Sequence, residues 1–442
     1  MKEKKVFIGM TEIAGYYHNL AIGLRENGIC VSEFYLSNHA FKYNEENSTS
    51  PLLFRIYRRL KLKRKEVRSN VISRIFYYSF GSLISYCFLF WALLKFDIFV
   101  FGFGTSILND NKDLKLLRKL NKKVISVIIH GSESRPPYIN GAKRLPNGNF
   151  YSPSELSRMS QLMKAQLEVI EQNSDFVLAA PFTSQFLEKP FINHFCIGLP
   201  FKSKITHLLN NDVTGDSSVR ILHSPSKPEA KGTFAIREII QSLKDKGYNI
   251  DYIEIINKPN SVVIDELQKC DFVIDQLYSD TPLAGFATEA AFYGKPAIVG
   301  GYGWETLKSL LPRNIFPPSE ICQPMQLEDS IIKLIVNKQY RLELGRQAFE
   351  FVTEHWEAKV VSAKFAKLFS GEIDPDWYIN PSEVNYVFGA GVSASEGKYL
   401  VSEIIKQRGK EGLSLKGNKS LESAFINFAN ERSQVDLSES TF

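Results

Sequence analysis

Short uninterrupted apolar runs alternate along this chain with longer segments whose apolar residues recur every three or four positions. The first pattern predicts buried strands, the second amphipathic helices. Residues 5–9 form the first run, Gly15 opens a helix over residues 15–24 that Gly28 ends, and residues 29–36 form a second run. Strands are predicted again over 97–102, 123–129 and 176–180, with helices over 113–120 and 154–173. The longest helix places Leu156, Met159, Leu162, Met163, Leu167 and Ile170 at helical spacing.

The rhythm lapses over residues 202–218, where Asn210, Asn211, Asp212, Thr214, Gly215 and Asp216 cluster as they do in linkers. It restarts with strands over 219–223, 250–256, 272–275 and 296–299, separated by helices over 233–245, 261–269 and 286–293. Such alternation predicts a parallel sheet in each half. The expected fold class is α/β, with two Rossmann-like doubly wound domains, residues 1–205 and 215–370, facing a cleft. Residues 339–369 read as closing helices, and residues 371–442 as an extension outside the rhythm.

Residues 75–94 carry no charge and are long enough to span a bilayer. They run straight into the strand-like 97–102, which points to a buried or interfacial helix of the α/β core. Before them, residues 55–68 hold eight basic side chains and one acid, Glu66, interleaved with Ile56, Tyr57, Leu60, Leu62 and Val67. That basic amphipathic pattern suits an anionic membrane surface.

The chain has 442 residues, more than one core usually supports. Its charge is divided: residues 1–150 carry 24 Lys+Arg against 11 Asp+Glu, and the remainder 30 against 37. Only the N-terminal half is expected to face an anionic partner. Five scattered cysteines without a C-x-x-C pair point to structural thiols in a reducing compartment. The short apolar run 6–10 has no cleavage-site pattern after it, so a cytoplasmic location is expected, with peripheral attachment to the inner face of the plasma membrane.

Loops at the carboxyl ends of strands hold ligands in open α/β sheets, and four stand out. Gly15 precedes the first helix, where bare backbone N–H groups can meet a phosphate. His130-Gly131-Ser132-Glu133-Ser134-Arg135 ends a strand and offers an imidazole and a cation. Residues 223–233 include Ser226, Lys227 and the Lys231-Gly232-Thr233 triplet, which joins cations to a helix N-terminus suited to a diphosphate. This loop lacks the G-x-x-x-x-G-K-[S/T] spacing of a P-loop. Residues 280–296 include Gly285, Phe286, Thr288 and Glu289; a carboxylate in the first helical turn can accept two hydrogen bonds from a ribose diol.

Together these loops resemble the GT-B glycosyltransferases of the retaining "group 1" type, found in bacterial cell-surface polysaccharide pathways. The likeness spans roughly residues 5–370 and is best in the second half. H-S-P-S followed by K-G-T is similar to the family's donor-phosphate loop, and G-F-A-T-E-A-A-F-Y-G-K-P to its nucleotide loop. The resemblance implies Lys231 on the diphosphate, Glu289 on the ribose, Gly15 and His130 facing donor and sugar, and His130 and Lys231 as catalytic. It further implies metal-independent, cofactor-free transfer from a nucleotide-sugar to a glycan or lipid-linked acceptor. Two departures stand out: Thr281 occupies the place of the family's other glutamate, and no arginine precedes the phosphate lysine, for which Lys227 can substitute. Asp374-Pro375-Asp376 matches a metal-binding D-x-D but reads as a turn. Competing readings are a non-catalytic nucleotide- or glycan-binding subunit, an epimerase on the same fold, and a nucleic-acid binder; the last has no recognised module, and no nucleic-acid partner is expected.

Overall fold

The apolar runs become two parallel sheets in a computed structural model that describes residues 4–36, 50–66, 71–202 and 218–431. The first sheet contains β1 (Val6–Met10), β2 (Val31–Tyr35), β3 (Ile98–Gly102), β4 (Lys123–Ile128), β5 (Phe176–Ala179) and β6 (Phe191–Asn193), all parallel, in the order β2-β1-β3-β4-β5-β6. Its helices are α1 (Tyr16–Glu26), α2 (Leu52–Glu66), α3 (Val71–Lys95), α4 (Leu114–Lys119), α5 (Pro153–Asn173) and the single turn α6 (His194–Ile197).

β1 shows why the sheet is doubly covered. All five of its residues are buried, as expected for a strand with helices on both faces. Phe7 points into the core shared with Phe88 of α3, whereas Val6 and Ile8 point into the core shared with Tyr17 and Leu20 of α1. The two-residue period of a strand does this sorting, and each large side chain so buried contributes roughly 1.5–3 kcal/mol.

The second lobe repeats the plan. β7 (Val219–His223), β8 (Ile250–Glu254), β9 (Phe272–Ser279), β10 (Ala297–Gly301) and β11 (Glu320–Cys322) form a parallel sheet in the order β8-β7-β9-β10-β11. The helices are the short α7 (Pro228–Lys231), α8 (Thr233–Asp245), α9 (Asn260–Lys269), α10 (Gly285–Phe292), α11 (Trp304–Leu310), α12 (Leu327–Val336) and α13 (Lys338–His355). Both sheets reverse direction beside their first strand, between β1 and β3 and between β7 and β9, and such reversals open ligand crevices at the strands' carboxyl ends. The expected fold class, two doubly wound parallel-sheet lobes, is therefore present.

The boundaries of the lobes differ from the expectation. After Trp356 the chain crosses back beside its first crossing, with Ala358 N–H donating to the Phe201 carbonyl at 2.8 Å and Phe201 N–H to the Trp356 carbonyl at 3.1 Å. α14 (Ala358–Ser370) then packs on α1 of the first lobe. Gly23 permits this crossing: any side chain there would run into the Ala358 carbonyl. The extension continues in the first lobe too, since β12 (Tyr378–Ile379) adds an antiparallel edge to β6 and α15 (Ala394–Arg408) packs on α5, with α16 (Lys419–Asn430) behind it. Hydrophobic pattern cannot tell which lobe a helix closes, because either sheet can bury the same apolar stripe.

All five cysteines are free thiols; Cys196, Cys270 and Cys322 are buried, whereas Cys30 and Cys87 are exposed.

Candidate functional site

The two sheets present their carboxyl ends to one another. Arg135, beyond β4, reaches Asp280, beyond β9, with Nε donating to Oδ2 at 2.7 Å and a second bond from Nη2 to the same oxygen. Both residues are buried. Phe182, beyond β5, lies near Gly303, beyond β10. Ligand loops of both lobes thus meet in one crevice.

On the second lobe, α7 carries Lys231 over the reversal between β7 and β9. Its Nζ lies 2.6 Å from Gln276 Oε1 and 3.4 Å from Asp275 Oδ1, both on β9. A lysine has three N–H donors, so an anion can share the ammonium. Gly232 follows with φ +71°, and a Cβ there would stand 2.5 Å from Leu277 Cβ. Only glycine accommodates that conformation and that approach, which lets α8 start directly behind the lysine. His223 is a structural link rather than a ligand group: Nδ1 contacts the Ile274 carbonyl at 2.7 Å and Nε2 the Thr233 hydroxyl at 2.9 Å. Burial lowers its pKa, so it holds β7, β9 and α8 together as a neutral imidazole.

α10 follows β9 at the same edge. Its N-terminus begins at the exposed Gly285, where an added Cβ would meet open space, with Phe286 half-buried behind it. Glu289 is buried and accepts from Asn260 Nδ2 at 3.0 Å, at the start of α9. It belongs to the second turn of α10, not the first as the sequence suggests, because the helix starts a residue before the Phe286 start expected from the pattern.

The first lobe's edge is built from groups of a different kind. His130 Nε2 lies 3.2 Å from the Tyr17 hydroxyl, and its backbone N–H donates to Glu133 Oε1 at 2.8 Å. Burial holds the His130 imidazole down at about 4, leaving it neutral at physiological pH. The same burial pushes the Glu133 carboxyl up to about 7. Glu12, just beyond β1, is likewise buried and raised to about 7, while its Oε2 accepts the His18 N–H at 2.8 Å. One oxygen of each acid, Glu12 Oε1 and Glu133 Oε2, is buried without a hydrogen-bond partner. Tyr17 feels the charge of both, so the acids flank one tyrosine. Carboxyls held near neutrality suit proton transfer at physiological pH.

A third component comes from the extension. Residues 386–394 thread between the lobes. Tyr386 stacks on Phe182 of the first lobe, with ring centres 3.6 Å apart and planes at 4°. Phe388 stacks on Tyr302 of the second at 4.7 Å. Gly141 N–H donates to the Ala390 carbonyl at 2.8 Å, and Gly391 N–H to the Tyr278 carbonyl at 2.9 Å. Gly391 also lies against Ala230, the neighbour of Lys231.

Of the residues singled out in the sequence, Lys231, Gly285, Phe286, Thr288 and Glu289 line the second carboxyl edge, and Gly15 and His130 the first. Gly15 is the left-handed N-cap of α1. Lys227 and Ser226 are exposed on the loop before α7. Thr288 spends its hydroxyl on the Ala284 carbonyl at 2.9 Å and acts within the helix. Arg135, expected to face substrate, is committed to Asp280, a partner no local pattern reveals. Local pattern assigns no role to Glu12, Tyr17 or Gln276, nor to Asp280 at the start of the 280–296 loop. Glu133 lies in the 130–135 loop, where the histidine and the arginine are the residues that local pattern brings forward. Asp374 caps a 3-10 turn by accepting the Asp376 N–H at 3.0 Å, the turn expected. Among the described residues no three His, Cys, Asp or Glu side chains converge on a metal position.

No protein-family model matches the chain, nor does any curated protein. Among solved structures it is similar to HepE of Anabaena in complex with UDP, at 12% identity and a TM-score of 0.46, over 83% of this chain and 100% of that one. It is also similar to MnaA of S. aureus in a co-structure with UDP, at 12% identity and 0.43, over 84% and 98%. A third is the glycosyltransferase SnogD of Streptomyces nogalater, at 11% identity and 0.39, over 83% and 100%.

Proposed function

We propose that this protein is a glycosyltransferase that moves a sugar from a nucleotide-sugar to a glycan or lipid-linked acceptor, on the cytoplasmic face of the membrane and in cell-surface polysaccharide synthesis. One observation carries the reading: the Arg135–Asp280 pair joins the carboxyl edges of two doubly wound sheets, one lined by cationic and helix-terminal groups, the other by proton-transfer groups. The second lobe takes the donor. Lys231, with Lys227, Ser226 and the N-terminus of α10 at Gly285 and Phe286, meets the diphosphate, and Glu289 meets the ribose. Charge that builds on the leaving diphosphate is stabilised by the Lys231 ammonium. His130, neutral and held against Tyr17, faces the sugar as a hydrogen-bonding group.

The resemblance favours retention of configuration, but the buried acids support a second reading. Glu12 or Glu133 as carboxylate would take the acceptor hydroxyl's proton while the acceptor oxygen bonds to the anomeric carbon and the diphosphate departs, giving inversion. Thr281 in place of a second donor-side carboxylate fits this route.

A thermal-shift screen of nucleotide-sugars tests the donor assignment, since a ligand at 100 times its Kd stabilises by about 2.7 kcal/mol. One nucleotide class should raise the melting temperature and be turned over when acceptor glycans are supplied. The product's anomeric configuration by NMR distinguishes retention from inversion. Binding without turnover on any donor would leave a non-catalytic subunit, and conversion without acceptor an epimerase.

A further inference from the structure

We propose that the outer face of α3, together with the basic face of α2, docks the protein onto an anionic lipid bilayer by apolar insertion. The sequence assigned membrane attachment to the basic segment 55–68; the structure adds a separate apolar surface on the next helix.

α3 is apolar on both sides. Its inner face buries Ser85, Phe88, Leu89 and Ala92 against the sheet, with Phe88 stacked on Tyr57 at 5.0 Å and on Trp91 at 5.6 Å. Its outer face exposes Leu83 (58%), Tyr86 (56%), Phe90 (65%) and Leu94 (71%). Spacings of three, four and four residues put these side chains in one stripe, with Cys87 exposed among them. Residues 77–94 are uncharged, and the segment Tyr77–Lys95 is long and apolar enough to cross a membrane. The buried inner face holds it against the protein instead, so it can lie on a bilayer but not span one without leaving its core.

The choice of a bilayer over another apolar partner rests on charge complementarity. α2 lies beside α3, Leu60 approaching Gly81. It exposes Arg55, Arg59 and Lys63 at four-residue spacing, alongside Leu52 and Ile56. A helix pair with an aromatic and aliphatic stripe flanked by cations matches the boundary between acyl chains and anionic headgroups. Exposed contiguous apolar stripes of this kind are uncommon on monomers that bind nothing there.

The test uses the full chain and needs no turnover, so its outcome is independent of the catalytic reading. Co-sedimentation is measured with vesicles of phosphatidylcholine alone and with 30% phosphatidylglycerol. Binding is expected to the anionic vesicles. It should drop on the order of 100-fold in R55Q/R59Q/K63Q, at about fivefold per cation, and be lost in L83S/Y86S/F90S. All six sites are exposed, so melting curves should match the wild type; for a variant that melts early, Phe90→Trp supplies the readout. Its added emission should shift to the blue with anionic vesicles. Equal binding to neutral vesicles, binding unaffected by L83S/Y86S/F90S, or no blue shift would overturn the proposal. So would a dimer in light scattering that the apolar triple variant abolishes, which would assign the face to a second copy.

Discussion

The carboxyl edges of the two sheets share a topology but not a chemistry. The second offers Lys231, the loop cation Lys227 and the open N-terminus of α10, all groups that attract anions. The first offers Glu12, Glu133, Tyr17 and a neutral His130, groups that hold or accept protons. Strand order alone provides a crevice at each reversal; burial decides what the crevice can do. Desolvation pushes both first-edge carboxyls up to about 7, whereas Lys231 over the mouth of the second sheet stays partly exposed.

The pair that joins the edges is where the contrast breaks most readily. Asp280→Ala leaves the Arg135 guanidinium buried without its carboxylate and should cost about 3–5 kcal/mol in urea unfolding. The double variant Arg135→Met, Asp280→Leu should recover most of it. If the single variant unfolds like wild type, the edges are not held together by this pair. Next in size, Lys231→Ala should lower kcat about 100- to 1,000-fold with the fold intact, measured as nucleotide release in the presence of donor and acceptor. An unchanged kcat in Lys231→Ala would remove this lysine from donor activation.

Glu12→Gln sharpens the comparison through pH. Its folded pKa, about 7, is above the ordinary 4.5. The associated stability is present below pH 4.5 and is lost as pH rises through 7, because the ionised form is the one burial disfavours. The glutamine variant should therefore be more stable than wild type at pH 8, by at most about 3 kcal/mol, and Glu133→Gln should behave alike. His130 has the opposite sign: its depressed pKa contributes stability above pH 6.5 that is lost as pH falls through about 4. The smallest effect is expected for Lys227→Ala. It is exposed, and removing it should weaken donor binding by less than about 1 kcal/mol in a titration. A larger loss would move the main diphosphate contact from Lys231 to Lys227.

The sequence by itself determined the elements and much of the second edge. β7 and α8 fall where periodicity puts them, because a buried strand and an amphipathic helix are each specified by side chains a few positions apart. Lys231-Gly232-Thr233 was legible for the same reason: the left-handed glycine and the helix start it permits are local. Tertiary structure alone decided the remainder. Arg135 meets a partner 145 positions away, α14 returns to α1 across the whole second lobe, and residues 386–394 pack between segments far earlier in the chain, from Phe182 to Gly303. Glu12 and Glu133 look like ordinary surface acids until the strands on either side bury them. Charge state, pairing and lobe membership depend on what surrounds a residue in space, and no window of sequence contains that.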